Sequence, residues 1–136
     1  MTDMLPSLTK ILIIDDDPDL LLLLHKMLKR IGAETVMAEN GESGLALMKA
    51  QRFDLLVLDL MLPDIDGYEV LKRMRADEKL KDLPVLILSA RADPNAISKG
   101  LEAGADGYLT KPYLPNTLTS RVRSILAEGR HKHKSE

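Results

Sequence analysis

The chain has 136 residues, of which 45% are hydrophobic, and this is enough for one domain with a proper core. Nineteen basic and 21 acidic side chains leave a formal charge of -2, so no overall basic field favours direct nucleic-acid binding. Cysteine is absent, which excludes a disulfide framework and a thiolate metal site. Because no 18-residue apolar run or N-terminal signal pattern occurs, we expect no membrane association and a cytoplasmic location.

Short runs of Ile, Leu and Val alternate with longer stretches of helical periodicity, a pattern typical of βαβ units around a parallel sheet. The predicted strands cover residues 10–15, 34–38, 54–59, 84–89 and 106–110. The helices predicted to follow them cover about 18–31, 41–50, 66–76, 95–103 and 115–127. Five such units predict an α/β fold, a three-layer, doubly wound (βα)5 sandwich around a parallel five-stranded sheet.

Several residues mark the boundaries of these elements. Asp17, followed by proline, has the features of a helix N-cap, and Gly32 fits the end of the same helix. Asn40 and Asp66 are predicted caps of later helices, and capping also explains Asp64 better than metal ligation. We expect one domain at 10–128, with an N-terminal tail at 1–9 and a charged C-terminal tail at 129–136.

Polar side chains follow four of the five predicted strands. Asp15 and Asp16 follow the first strand, Asp59 ends the third, Ser89 ends the fourth and Lys111 follows the fifth. In doubly wound folds, ligands bind beyond the carboxyl ends of the strands, so these groups are predicted to converge. Carboxylates at ~4 Å and an effective dielectric near 20 repel by about 4 kcal/mol per pair, and Mg2+ with oxygen ligands relieves that repulsion.

These groups supply the parts that phosphoryl transfer requires. Lys111 adds a mobile positive charge and Ser89 a hydroxyl donor, which together with a divalent cation stabilise the three equatorial oxygens of a transferring phosphoryl group. Asp59 is then the predicted acceptor, and it forms an acyl phosphate.

The motifs IIDDDPD, LVLDLMLPDIDG, PVLILSA and GLEAGADGYLTKPY, with their spacing, extend over most of the chain, from Lys10 to Leu126. In these segments the chain resembles a response-regulator receiver domain of two-component, phosphorelay signalling. The resemblance implies a flavodoxin-like strand order of 2-1-3-4-5. It also implies a phosphoprotein that acquires and loses its own phosphoryl group, and not an enzyme with repeated turnover.

The resemblance also implies a role for each residue around the acceptor. Asp15 and Asp16 would hold Mg2+, with Mn2+ as a substitute cation, and the backbone carbonyl of Met61 would join them as a ligand. Asp59 would be phosphorylated and would share the metal.

Two further residues and one surface follow from the same resemblance. Ser89 and Lys111 would bind the phosphoryl oxygens, and the peptide before Pro112 is often cis in the family. Tyr108 occupies the aromatic switch position, whose ring turns inward when the serine hydroxyl moves toward the phosphate. The signal would then reach the face formed by the fourth helix, fifth strand and fifth helix.

The implied partners are a sensor histidine kinase or a histidine phosphotransfer protein as donor, and an output protein or domain of unknown identity. Helical spacing in the first helix assigns six residues to the core, namely Leu20, Leu23, Leu24, Met27, Leu28 and Ile31. Leu21 and Leu22 remain outside that set. Because their helix starts at the acidic site, we predict that these two leucines dock the donor.

Other functions remain open at this point. A haloacid dehalogenase-type hydrolase also uses an aspartate nucleophile with Mg2+, but its general acid, an Asp, is replaced here by Met61. A receiver-like module that is never phosphorylated is a further alternative, and so is a receiver cut from a larger regulator. Receivers attached to winged-helix DNA-binding domains usually carry interface charges at positions occupied here by Gly107, Thr117 and Glu128, which favours a stand-alone receiver or a different assembly.

Overall fold

The structure is a computed structural model that describes residues 4–129. The strands are β1 (Lys10–Ile14), β2 (Glu34–Ala38), β3 (Leu55–Asp59), β4 (Val85–Ser89) and β5 (Gly107–Thr110). The helices are α1 (Pro18–Arg30), α2 (Gly41–Ala50), α3 (Gly67–Arg75), α4 (Pro94–Glu102) and α5 (Pro115–Glu128). Every predicted strand and helix is present with its ends within one residue of the prediction.

The strands form one parallel sheet in the order β2-β1-β3-β4-β5, which confirms the predicted order. The register pairs Ile14 with Leu58, and Asp59 with Leu88 on the next strand. All strands point the same way, so their carboxyl ends share one edge of the sheet. The residues that follow β1, β3, β4 and β5 are therefore neighbours in space although they are distant in sequence.

The sheet is covered on both faces, because β3 and β4 are buried along their whole length and β1 along most of it. Alternate residues of each strand point to opposite faces. One core contains Leu12, Leu56 and side chains of α2 and α3, and the other contains Ile11, Leu55 and side chains of α1 and α5. Helix α4 approaches the first of these cores through Gly100, which lies against Ile87. The result is the predicted three-layer sandwich.

The predicted facing of α1 is wrong at two of its leucines. Leu21, predicted to be outside the core, is 4% exposed, whereas Leu23, predicted to be inside, is 51% exposed. Leu22 is 48% exposed, as predicted. The buried stripe is Leu21, Leu24 and Leu28, with spacings of three and four residues. A run of five leucines satisfies more than one helical phase, and the phase is set by the polar residues further along the helix.

The predicted caps of α1, α2 and α3 are confirmed. Asp17 accepts hydrogen bonds from the N–H groups of Asp19 and Leu20, while Asn40 caps α2 and Asp66 caps α3 in the same manner. The N-terminal segment predicted as a tail contains a packed residue, since the Leu5 side chain is buried and its N–H donates to Ile31 O at 2.6 Å. Beyond Gly129, the predicted C-terminal tail lies outside the described residues.

Candidate functional site

Three carboxylates meet at the carboxyl edge of the sheet, just beyond β1 and at the end of β3. Asp15 is 2% exposed and Asp59 is 6% exposed, while Asp16 is open to solvent. One oxygen from each of the three carboxylates lies within 4.8 Å of the other two. Backbone contacts hold this arrangement, because the Asp15 N–H donates to Ala38 O at 3.1 Å and the Met61 N–H donates to Asp59 Oδ1 at 3.2 Å.

Lys111 brings the positive charge of the site from the end of β5. Its Nζ lies 3.2 Å from Asp15 Oδ2 and 3.5 Å from Asp59 Oδ2. The Lys111 N–H donates to the Ser89 carbonyl at 2.8 Å, so its backbone stays aligned with β4. The Lys111–Pro112 peptide bond is cis, as the resemblance implied. The structure thus brings together the four charged residues that were predicted from the strand ends.

The charges of the site do not balance. When all four groups are ionised, three carboxylates face one ammonium group. Burial, followed by the negative charge of Asp15, raises the pKa of Asp59 above its ordinary value of 3.8. The Met61 N–H and the Lys111 ammonium act in the opposite direction without cancelling that increase. Binding of a further cation would therefore stabilise the site.

A divalent cation fits this donor set. Oxygen ligands at roughly 2.1 Å from one Mg2+ lie about 3.0 Å apart at adjacent positions and about 4.2 Å apart at opposite positions. The three carboxylate oxygens, which lie within 4.8 Å of one another, would draw together around the ion to reach those spacings. The chemistry of the group also fits, since hard oxygen donors with solvent access on the side of Asp16 suit Mg2+ or Mn2+. The predicted carbonyl ligand, Met61, has its backbone beside Asp59 and its side chain in solvent.

Ser89 and Tyr108 are joined through the backbone of a third residue, Arg91. The Ser89 side chain is fully buried, and its Oγ accepts the Arg91 N–H at 3.0 Å. The Tyr108 hydroxyl donates to the carbonyl of the same Arg91 at 2.8 Å. The Arg91 guanidinium pairs with Asp93, the N-cap of α4, at 3.1 Å. A displacement of the serine hydroxyl would thus act through Arg91 on the tyrosine and on the start of α4.

One contributor to the site, Gly67, was missed in the sequence, and the partners of a second, Asp64, were not predicted. A Cβ atom at Gly67 would lie 2.7 Å from the Asp59 carbonyl oxygen, so only glycine permits α3 to begin so close to the end of β3. Asp64 accepts the N–H groups of Gly41 and Glu42, both at 2.8 Å, and so ties the loop after β3 to the start of α2. Capping was the predicted role of Asp64, but a cap 23 residues away leaves no local signal.

Comparison with known proteins places this geometry in context. The family model described as the response regulator receiver domain matches residues 11–123. The transcriptional regulatory protein AfsQ1 of Streptomyces coelicolor is 43% identical over 125 residues, which is 92% of this chain and 53% of that protein. The DNA-binding dual master transcriptional regulator RpaA of Synechocystis is 43% identical over 117 residues, 86% of this chain and 48% of its own length.

A solved structure of a receiver domain has the same fold as this chain. The response regulator receiver domain protein (CheY-like) of Methanospirillum hungatei superposes with a TM-score of 0.84 at 31% identity, covering 93% of this chain and 99% of that one. The chain spans about half the length of the curated relatives it matches. None of the helices between residues 4 and 129 combines the length and the apolar character that a membrane span requires.

Proposed function

This chain belongs to the response regulator receiver domain family of two-component systems, and we propose that Asp59 is the residue at which it is phosphorylated. The observation that carries the proposal is the position of Asp59. Its carboxylate is buried at the end of β3, 3.5 Å from the Lys111 ammonium and beside Asp15 and Asp16. A raised pKa marks it as a carboxylate whose charge is incompletely compensated, which is typical of a functional site.

The chemical step is a transfer between two nucleophiles. An oxygen of the Asp59 carboxylate forms a bond to phosphorus while the bond between phosphorus and the donor imidazole nitrogen breaks. The imidazole leaves with the electron pair of that bond and takes a proton from water. Lys111 pairs with the phosphoryl oxygens, and the buried Ser89 hydroxyl, whose proton is not used in its contact with Arg91, donates to one of them. Hydrolysis of the acyl phosphate by water restores Asp59.

Asp15, Asp16, Asp59 and the Met61 carbonyl are the residues that would hold the divalent cation. A bound Mg2+ supplies neutralisation of the negative charge that gathers between the acceptor and the phosphoryl oxygens. Lys111 alone cannot supply it, since its ammonium group is already shared by two buried carboxylates. Loss of Asp16 is expected to weaken cation binding with the least effect on the fold, because this side chain is exposed and contributes little to the core.

We further propose that phosphorylation is transmitted to the face formed by α4, β5 and α5. The Ser89, Arg91 and Tyr108 contacts support this route, because a serine hydroxyl drawn toward a new dianion releases the Arg91 N–H. Arg91 is also paired to the cap of α4, so the change reaches that helix without an intermediate residue.

A sensor histidine kinase or histidine phosphotransfer protein is the proposed donor, in line with the family. The corrected docking residues are Leu22 and Leu23, which lie side by side and half-exposed on α1. Leu21 is excluded because it belongs to the core. Helix α1 starts immediately after Asp15 and Asp16, so a helix packed on these leucines would lie next to the acceptor.

The output of the receiver is proposed to be transcriptional control, exerted through a further domain or a separate partner. The names of both relatives describe transcriptional regulators, and this chain matches only about half of each. This favours the larger-regulator alternative over the haloacid dehalogenase alternative, which also lacks its general acid at Met61. A cytoplasmic location remains a prediction.

Labelling with acetyl phosphate and Mg2+ tests the proposal, since this small donor needs no docking surface. Wild type should take up label on the peptide containing Asp59, and Asp59→Asn should abolish it. Asp82→Asn, which changes an exposed acid near the opposite edge of the sheet, is the control and should label normally. Undiminished labelling of Asp59→Asn would refute the assignment.

With beryllium fluoride as the phosphate mimic, chemical shifts on α4 should move in wild type and much less in Ser89→Ala.

A further inference from the structure

Tyr113 carries a hydroxyl that the fold does not satisfy. Among the side chains of residues 4–129, its hydroxyl oxygen is the buried polar atom without a hydrogen-bond partner. The ring packs against the core shared by α1 and α5. Burial of a hydroxyl without a partner costs free energy, and phenylalanine would fill the same space without that cost. Packing alone therefore does not account for a tyrosine at this position.

The position of Tyr113 links the hydroxyl to the acidic site. Tyr113 lies two residues after Lys111, and both residues are on the connection between β5 and α5. Burial, followed by the negative charge of Asp15, raises the pKa of Tyr113 above its ordinary value of 10.0. A tyrosine hydroxyl is protonated at neutral pH, so it is available as a hydrogen-bond donor on the segment whose Lys111 already pairs with Asp15.

Asp15 has room for another donor. Its Oδ1 accepts the Asp17 N–H at 3.0 Å, and its Oδ2 faces Lys111 Nζ at 3.2 Å. An ionised carboxylate offers about four acceptor sites, so two contacts do not saturate it. A cation that binds to Asp15 would weaken the pairing of Lys111 with that carboxylate by charge repulsion, and a further donor would then help to hold the carboxylate in place. Residues that orient metal ligands from behind are a general feature of such sites.

We propose that Tyr113 is a positioning residue whose hydroxyl donates to the Asp15 carboxylate when the site holds its divalent cation. This inference rests on the proposed function, because it presupposes that Asp15 and Asp16 bind the cation. It assigns to the acidic site a residue that was part of the sequence motif but had no role. Tyr113 contacts neither the phosphoryl group nor the acceptor in this scheme.

Calorimetric titration of the full chain with Mg2+ measures the effect. Tyr113→Phe should bind Mg2+ roughly tenfold more weakly than wild type, the lower end of the range for orienting residues. Tyr68→Phe is the matched control, since the Tyr68 hydroxyl donates to Ala96 O between α3 and α4. That variant should bind Mg2+ as wild type does. In the absence of Mg2+, Tyr113→Phe should melt at or above the wild-type temperature, because it removes an unsatisfied group.

A second measurement reads the hydroxyl directly. In protein labelled at tyrosine 13Cζ, the Tyr113 resonance, assigned by difference from Tyr68→Phe and Tyr108→Phe, should shift as Mg2+ is added. Asp16→Ala should abolish that shift. If wild type binds no Mg2+, or if Asp16→Ala binds it unchanged, the proposed metal site fails and this inference fails with it. If wild type binds Mg2+ but Tyr113→Phe binds equally well, or the Tyr113 resonance does not move, only the role of Tyr113 is overturned.

Discussion

Two ionic clusters lie at opposite edges of the same sheet, and they are built on opposite principles. At the amino edge, the Arg75 guanidinium donates to Leu83 O and Gly104 O, both at 2.8 Å, and to Asp106 Oδ2 at 3.4 Å. At the carboxyl edge, the Lys111 ammonium is shared between Asp15 and Asp59 at 3.2 and 3.5 Å. The first cluster contains one cation and one acid among neutral carbonyls, whereas the second has more acids than cations.

This difference separates a structural cluster from a reactive one, and we call the amino edge the closed edge and the carboxyl edge the open edge. Arg75 and Asp106 each have several backbone partners, since Asp106 Oδ2 also accepts the Val85 N–H at 2.9 Å. Such a network has little to gain from a further ligand, and its role is to join the end of α3 to the starts of β4 and β5. The Lys111 cluster, in contrast, keeps the pKa of Asp59 raised by burial and by Asp15. This cluster would be stabilised by binding a cation, by taking up a proton, or by accepting a phosphoryl group together with its metal ion.

The largest effect is expected at the closed edge. Arg75→Met should lower the free energy of unfolding by about 3–5 kcal/mol, the range for breaking a buried ion pair on one side, because the buried Asp106 carboxylate then loses its cation. Urea denaturation followed by far-ultraviolet circular dichroism measures this change. Phosphorylation of whatever fraction remains folded should be unaffected, since the cluster lies at the other end of the strands.

Arg73→Ala is the matched control for that experiment. Arg73 lies on the same helix and pairs with Glu69 and Glu42 at 3.0 and 3.2 Å, but all three side chains are largely exposed. Exposed pairs contribute about 0–1 kcal/mol, so this variant should remain close to wild type. Equal losses for the two arginine variants would mean that the amino edge is not the closed structural cluster described above.

A change of the opposite sign is expected at the open edge. Without a divalent cation at pH 7, Asp59→Asn should raise the free energy of unfolding by on the order of 1 kcal/mol, because each unit by which a pKa is raised costs about 1.4 kcal/mol in the ionised state. Asp106→Asn, at the closed edge, should instead be destabilising. If Asp59→Asn were also destabilising under these conditions, Asp59 would be a structural partner of Lys111, and the contrast between the edges would disappear.

The pH dependence of that gain has a definite direction. A carboxyl group whose pKa is raised in the folded protein holds its proton more strongly there than in the unfolded chain. Its contribution to stability therefore falls as the pH rises from 3.8 through the raised pKa of Asp59. The stability difference between Asp59→Asn and wild type should be largest above that window and should shrink on acidification. Thermal melts at several pH values, with chelator present, measure it.

The sequence predicts the fold well, since the elements are marked by local features. Asp17 followed by Pro18, and the cap Asp66, mark helix starts to within one residue. The strand ends also predict which charged groups converge, because parallel strands place all their carboxyl ends together. Asp15, Asp59 and Lys111 could thus be assigned to one site before any contact between them was known.

The parts that could not be predicted depend on contacts distant in sequence or on the phase of a helix. Arg75 gives no local sign that its guanidinium reaches Gly104, 29 residues further along. The phase of α1 is different, because the sequence does contain its signal. Lys26, Lys29 and Arg30 form the polar side of the helix, and extrapolation of that side by one turn exposes Leu22 and Leu23. The leucine run alone, without the polar residues, supports the wrong phase.

The smallest expected effect on stability comes from that exposed pair and tests how far the open edge extends across the surface. Replacing Leu22 and Leu23 together with Ser should change the free energy of unfolding by no more than about 0.5 kcal/mol per site, because both side chains are already half in solvent. Transfer from the cognate phosphohistidine donor at limiting concentration should nevertheless slow roughly tenfold, since apolar contact beside Asp59 is lost. Acetyl phosphate labelling should stay at the wild-type rate.

Met37→Thr, an exposed apolar position on β2, is the control and should leave transfer unchanged. If the double variant transferred as fast as wild type, these leucines would be incidental surface and donor recognition would lie elsewhere on the rim; if it unfolded, α1 would face the core with a different phase.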